Sequence, residues 1–531
     1  EITKNTYIME EKKSLKKWQC WAIFVVSLVV VFCLGLLVSM LQERRAETAS
    51  IYNNKKVEIA NNDYSTVARN DAYAENYGRE FDTWKKTADT SFESEFNGSE
   101  AKDVLDMRPN MVVLWAGYAF AWDYTTPRGH MHAIEDITRS LRTGSPGVGL
   151  EPQPSTCWTC KSPDVPRYMA VLGGETTGDI NAIRKGAAAF YAGKWGDENW
   201  ASQIVNPIGC WDCHEAENMN LRISRPALVE AFERQGRDIS KATHQEMRTL
   251  VCAQCHVEYY FDNRDGKQNY LTFPWDKGFN VEDIEAYYDE FDYADYTHAL
   301  SRAPILKAQH PGYETWQMGI HGQRGVTCAD CHMPYMSEGG IKFSDHQVQS
   351  PLAKMERTCL VCHRQSEETL RNNVYERQRK LNETRTELET QLAAAHIEAK
   401  AAWDAGATEA EMAEALKLIR KSQWRWDFAV ASHGAAFHAP IEIGRILAAG
   451  LDYALKARLA VTKVLAKHGV NDVKVPTFAN KAEAQKYIEP SIAGKIGSFE
   501  KLEGDNTKFL QEVQPNWVKK AKDEKRLTMD I

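Results

Sequence analysis

The chain has 531 residues, a formal charge of −8, 12 cysteines, 15 histidines and 15 tryptophans. That length allows a large core or several ordinary domains, and the mildly acidic balance argues against nucleic acid as a partner. Ten cysteines fall in five Cys-x-x-Cys pairs and the other two, Cys20 and Cys33, in an apolar run, so none remains for a structural disulfide.

In chain order, three regions are expected, over residues 1–50, 51–365 and 366–531. Met9 is a candidate start, preceded by eight residues. Lys12, Lys13, Lys16 and Lys17 then lead into residues 18–42, a stretch of 25 without a charge. A run of that length spans a bilayer as a helix. The lysine excess before it places the N-terminus in the cytoplasm and the bulk of the chain outside. An uncleaved signal anchor is the expectation; a signal peptide with its exit at Ala46-Glu47-Thr48-Ala49 is the alternative.

Residues 46–90 are polar and read as a tether. Tyr118-Ala119-Phe120-Ala121 opens the folded part, Pro127-Arg128-Gly129-His130 reads as a turn presenting a histidine, and residues 134–142 read as a short amphipathic helix stopped by Gly144 and Pro146. Residues 151–365 carry all five cysteine pairs, with little strand signal and much Pro, Gly and Trp. Short helices and long loops are predicted there.

Four pairs end in histidine: Cys210-Trp211-Asp212-Cys213-His214, Cys252-Ala253-Gln254-Cys255-His256, Cys328-Ala329-Asp330-Cys331-His332 and Cys359-Leu360-Val361-Cys362-His363. Cys-x-x-Cys-His is the c-type haem attachment signature, two thioethers to the porphyrin and an adjacent axial imidazole. Zinc ribbons are the competing use of paired cysteines, but spacers of 49, 38, 72 and 27 residues and four immediate histidines disfavour them. The first pair, Cys157-Trp158-Thr159-Cys160-Lys161, keeps the cysteine spacing and puts lysine where the histidine stands. An amine binds iron only after losing its proton. A fifth haem with an unusual ligand, set apart from the other four, is the natural seat of substrate chemistry; a degenerate motif without haem is the bland alternative. Covalent haem c is attached outside the cytoplasm, so the protein is expected in the periplasm.

After Gln365 the pattern changes. Val374, Leu381, Leu388, Ala395 and Ala402 recur every seventh residue, a helical seam that Gly406 ends. Thr408 and Glu411 make a capping box for a second helix, predicted to reach His433-Gly434, and a third is predicted over residues 441–467. The seam could pack within the chain or against a second copy; with no evident partner in the sequence, a homodimer is the expectation.

With these motifs in view, the chain resembles the pentahaem cytochrome c nitrite reductases, the ammonia-forming enzymes, from about Tyr118 to its end. Cys255-His256-Val257-Glu258-Tyr259 and Lys307-Ala308-Gln309-His310 carry the likeness beside the five cysteine motifs. The resemblance implies a mainly helical, dimeric, periplasmic enzyme with five haems c and calcium. It implies Lys161 as proximal ligand of the active-site haem, and His214, His256, His332 and His363 as proximal ligands of the second to fifth. The distal ligands it implies are His346 for the second, His130 for the third, His438 for the fourth and His321 for the fifth. His132 and His433 are neighbours to which we give packing or hydrogen-bonding roles. It implies a pocket of Arg142, Tyr259 and His310, and a calcium site of Glu258, Tyr259, Lys307 (through its carbonyl) and Gln309. Its usual electron donor is a membrane-bound, quinol-oxidising cytochrome.

Nitrite to ammonium takes six electrons. Irons ligated on both faces relay electrons, and one with an open face binds substrate. Arg142 would hold the anion, His310 would donate protons near neutral pH, and Tyr259 would donate a hydrogen bond. The alternatives are a multihaem electron carrier and a related reductase acting mainly on hydroxylamine or sulfite.

Overall fold

The computed structural model describes residues 16–53, 56–96, 98–146, 148, 152–175, 178–196 and 201–529. Met9, Lys12, Lys13 and the start of the motif region at Glu151 lie outside the described residues. The chain divides into two compact units, Glu1–Val57 with Ser337–Lys342, and Glu58–Met336 with Phe343–Ile531.

In the first unit a single helix runs Lys17–Asn53. The most apolar 18-residue window within its Lys17–Arg45 portion has mean hydropathy 2.9, and none of that window is buried. A rise of about 1.5 Å per residue makes it long enough to cross a bilayer.

The second unit is mainly helical, and strand is confined, among the described residues, to three two-stranded ribbons. Its architecture rests on three long helices. Ser366 caps the first, Glu367–Asp404, by accepting from Thr369 N. Gly406, at φ +93, lets the chain turn, and Thr408 and Glu411 exchange the two bonds of a capping box at the start of Glu409–Ala431. This second helix stops short of His433 because Ser432 is extended. Pro440 opens the third, Pro440–Lys467, at a position where its missing N–H costs nothing.

The heptad seam finds its partner inside the chain. Val374, Leu388, Ala395 and Ala402 are buried. Leu381 and Leu388 lie against Gly444 and Gly450 of the third helix; a Cβ at 450 would come within 2.9 Å of Leu388 Cδ2. The seam therefore gives no ground for a dimer, since the apolar stripe that invited one is already covered.

Two large apolar cores stand out among the described residues. One joins the three helices to Val104–Met107, Asn110–Leu114 and Val281–Asp289. The other packs Trp158, Trp195, Phe232 and Trp275 around the first motif. Between the motifs, the fully buried Arg225 donates to Thr159 O (2.8 Å), Ser162 O (2.9 Å) and Asp212 Oδ1 (2.6 Å), stapling the first motif to the second. Gln254 of the third motif donates to Asp212 O and accepts from Ser224 N. Arg248 reaches Asp330 of the fourth at 2.9 Å.

Candidate functional site

Each motif sits at a turn of helix. Asp212 accepts from Gly209 N, and Asp330 from Thr327 N, both at 2.8 Å, which starts the turns at Cys210–Cys213 and Cys328–His332. One cavity of about 1180 Å³ runs past all five. Its wall holds every motif cysteine except Cys362, together with Lys161, His130, His214, His256, His321, His332, His346 and His438. That volume exceeds the range of about 300–1,000 Å³ typical of a single small ligand.

The histidines stand in opposed pairs. Ring centres are 6.1 Å apart for His214 and His346, 6.1 Å for His321 and His363, and 6.5 Å for His332 and His438. Two imidazoles on opposite faces of one metal, each at a bond of about 2.0 Å, place their ring centres about 6 Å apart. His214, His332 and His346 each set Nδ1 against a backbone carbonyl, of Met219 (2.7 Å), Gln349 (2.8 Å) and Ser344 (2.8 Å). A carbonyl only accepts, so Nδ1 carries the proton and Nε2 keeps the lone pair a metal needs. Gly434 leaves room for His438, whose ring a Cβ there would approach to 2.7 Å. His130 faces the same cavity as His256, and burial first and His130 next push the His256 imidazole down to about 3. The donor set and spacing thus fit haem c. His132 bonds through both ring nitrogens, to Glu135 (3.2 Å) and Ala88 O (3.0 Å), and is committed elsewhere. His433 opens onto the cavity.

The motif thiols also give the order of the sites in space. Cys160 lies within hydrogen-bonding reach of Cys255, and Cys252 of Cys328. Cys213 is close to Cys252, and Cys359 and Cys362 to Cys331. The first site therefore adjoins the third, the third the fourth and the fourth the fifth, with the second branching from the third.

Arg142, Tyr259 and His310 share the cavity wall with Lys161. The short helix expected over residues 134–142 breaks at Ser140, whose extended backbone and hydroxyl, accepting from Arg142 N at 3.3 Å, start a new turn over Leu141–Thr143. That break aims Arg142 inward. His310 is brought to Tyr259 by bonds between two segments: Gln309 N donates to Glu258 Oε2 (2.6 Å), Glu258 N to Glu314 Oε1 (2.9 Å) and Tyr313 N to His256 O (2.9 Å). The rings of Tyr259 and His310 are 6.4 Å apart. Burial, with the nearby motif thiols, raises the Tyr259 phenol well above its ordinary range, so it stays protonated. Burial, and then the Lys161 charge, hold His310 well below 6.5. It is therefore a neutral imidazole at pH 7.

Next to this trio lies a set of oxygen donors. Glu258 is buried, and burial raises its carboxyl well above the usual range. The Lys307 ammonium points away, pairing with Asp427 Oδ1 at 2.8 Å, so the carbonyl is what Lys307 offers here. Gln309 Nε2 donates to that carbonyl at 3.3 Å. A carboxylate, an amide oxygen and backbone carbonyls suit a hard cation such as calcium. Sequence reasoning missed Tyr118, Phe120 and Lys495, which line the same cavity as Arg142. The aromatic run at residues 118–121 was visible, but nothing in it distinguished a site wall from core.

Five haem-attachment turns around one cavity in a helical frame define a multihaem c-type cytochrome. The chain matches the family Cytochrome c552 over residues 69–525, and it belongs to that family. It is 64% identical over 518 residues to cytochrome c-552 of Bacteroides fragilis, covering 97% of this chain and 99% of that protein. It is 60% identical to cytochrome c-552 of Porphyromonas gingivalis over 96% of this chain and 98% of that one. Among solved structures it superposes, with TM-score 0.69 and 31% identity over 78% of this chain and 92% of the other, on a cytochrome c nitrite reductase from Desulfovibrio desulfuricans. That protein's catalytic subunit has two calcium sites. The cofactor of this chain is haem c.

Proposed function

We propose that this chain is an oxidoreductase that reduces nitrite to ammonium at the Lys161 site. The reading rests on one observation. Three histidine pairs are spaced to ligate metals from both sides and His130 faces the same cavity as His256, while the Lys161 motif shares that cavity with a cation, a phenol and a neutral imidazole. The likeness to the Desulfovibrio enzyme supports the same substrate.

The attachment cysteines would hold five haems c, with Lys161, His214, His256, His332 and His363 as proximal ligands and His346, His130, His438 and His321 as distal ligands of the second to fifth. Haem c supplies one-electron redox chemistry at each site and, beside Lys161, a place for substrate nitrogen. Nitrite, six electrons and eight protons give ammonium and two waters. Arg142 holds the anion and the departing oxygens by charge. Tyr259, protonated at neutral pH, donates a hydrogen bond to a substrate oxygen. His310, a neutral imidazole, donates its one N–H as a hydrogen bond to a substrate oxygen, while the eight protons enter the cavity from water. Glu258, the Tyr259 and Lys307 carbonyls and Gln309 would hold calcium, which would supply positive charge for an incoming anion beside Tyr259.

The same proposal includes a periplasmic location with residues 18–42 as inner-membrane anchor, and a membrane-associated quinol-oxidising cytochrome as donor. It includes a homodimer through Ile441, Leu455 and Leu459, exposed on one face of the third long helix.

The test is ammonium yield from nitrite with a chemically reduced dye as donor and protein shown to carry five haems. Stoichiometric ammonium is expected. No nitrite consumption with five reducible haems would leave an electron carrier. Turnover mainly of hydroxylamine or sulfite would leave a related reductase.

A further inference from the structure

We infer that Phe120 is a positioning residue that holds the Arg142 guanidinium for an anionic substrate without neutralising its charge, an inference that rests on the nitrite reading. The Arg142 carbon Cζ lies 4.4 Å from the centre of the Phe120 ring and 5.6 Å from that of Tyr124. Its Nε donates to Ser140 Oγ at 3.1 Å. Among the described residues no carboxylate forms an ion pair with it. Asp123, close by in the chain, instead accepts from Leu141 N at 3.2 Å.

The choice of partner matters chemically. A long, flexible guanidinium has to be fixed before it can bind an anion in a defined pose, and a carboxylate would fix it well. The carboxylate would also cancel the charge that recruits the anion and repel the anion itself. An aromatic face attracts the cation through its quadrupole and carries no net charge. Ser140 occupies Nε, and the two terminal nitrogens remain the fork that suits a two-oxygen anion.

Phe120 is itself fixed on several sides. It stacks on Tyr118 with centres 5.5 Å apart and planes at 4°, and meets Trp115 at 5.4 Å. The Lys307 ammonium lies 4.5 Å from the same ring centre. Two cations therefore share one ring. The one bound to Asp427 belongs to the protein frame, and the one without a carboxylate belongs to the cavity.

The experiment compares Phe120→Met, which keeps apolar volume and removes the π face, with Phe120→Tyr, which keeps the face. Both are measured as holoprotein with five haems, using nitrite and the uncharged hydroxylamine as substrates. Phe120→Met is expected to raise KM for nitrite about tenfold, with KM for hydroxylamine moving far less, and Phe120→Tyr to restore it. Equal changes for both substrates, or an unchanged nitrite KM, would overturn the inference. If Phe120→Met does not retain its haems, Ser140→Ala carries the test, with the same selective rise expected and an unselective one refuting it. Equilibrium nitrite binding to the oxidised protein, followed by haem absorbance, separates the two readings. Weaker nitrite binding in Phe120→Met beside a wild type that turns over no nitrite would sink the activity and keep the clamp. Normal wild-type turnover with unaltered binding in Phe120→Met would do the reverse.

Discussion

The motif region and the long-helix region solve the problem of a core in opposite ways. In the long-helix region, side chains meet side chains: Leu388, Leu392, Met412, Ile419 and Val461 are buried against one another. Its buried His396 is satisfied by protein partners. His298 and His396 stack with centres 3.7 Å apart; His298 bonds Val113 O at 2.8 Å, and His396 bonds Ser301 Oγ at 2.8 Å and Gln423 Oε1 at 2.6 Å. In the motif region, thiols and imidazoles from distant segments line a shared cavity, and buried arginines tie the segments together at their backs. A region built the first way is specified by its own side chains, whereas one built the second way is specified jointly with its cofactors.

The most severe test of that contrast is Cys252→Ala with Cys255→Ala, at the motif adjoining three others. We expect loss of all nitrite turnover and of protease resistance in the motif region, while the long-helix segment, residues 367–467, outlasts it in limited proteolysis read by mass spectrometry. A motif region that stays resistant would break the comparison. Next in size, Arg142→Ala or His310→Ala should lower nitrite turnover by roughly 10²–10³-fold, with five haems and the melting temperature retained. Near-normal ammonium formation in either variant would remove that residue from the chemistry.

The stacked pair of His298, from the chain before the long helices, and His396, within them, makes a pH prediction. Burial pushes His298 down to about 4, and burial with His298 beside it pushes His396 lower still than 6.5. The unfolded chain takes up these protons near pH 6.5 and the folded chain does not, so their contribution is complete above about 6.5 and is lost as pH falls towards 4. His298 alone is worth on the order of 3 kcal/mol across that window. Denaturant melts from pH 7 to 4 should show a shallower acid slope for His298→Asn than for wild type; identical slopes would refute the assignment. The smallest effect is Thr408→Ala, which removes one cap and should cost about 1 kcal/mol without changing turnover; thermal melting reads it.

The two regions also differed in how much could be read from sequence. The cysteine motifs were plain because covalent chemistry fixes their spacing, and the long helices because heptads, Gly406 and the Thr408–Glu411 box are local signals. The opposition of His214 to His346, or His332 to His438, has no local signal. Each joins residues far apart in the chain, and without a family likeness any of the remaining histidines could have been chosen. The partner of the seam was hidden for the same reason, since glycines at 444 and 450 read as helix weakeners until a leucine is seen against them. The break at Ser140 was missed because the apolar spacing of Ile134, Ile137 and Leu141 continues across it.

The spatial order of the motif sites has a consequence for how the chain is made. The first motif emerges from synthesis well before the Cys255 that it touches, and its pocket still awaits Tyr259 and His310. The fourth motif waits longer, until His438, which faces His332, arrives from beyond two long helices. No N-terminal portion holds a finished reaction site, so a prematurely terminated chain carries attachment motifs with no competent pocket. The candidate site is thus a property of the whole folded chain, since residues from Tyr73 to Lys495 line its cavity.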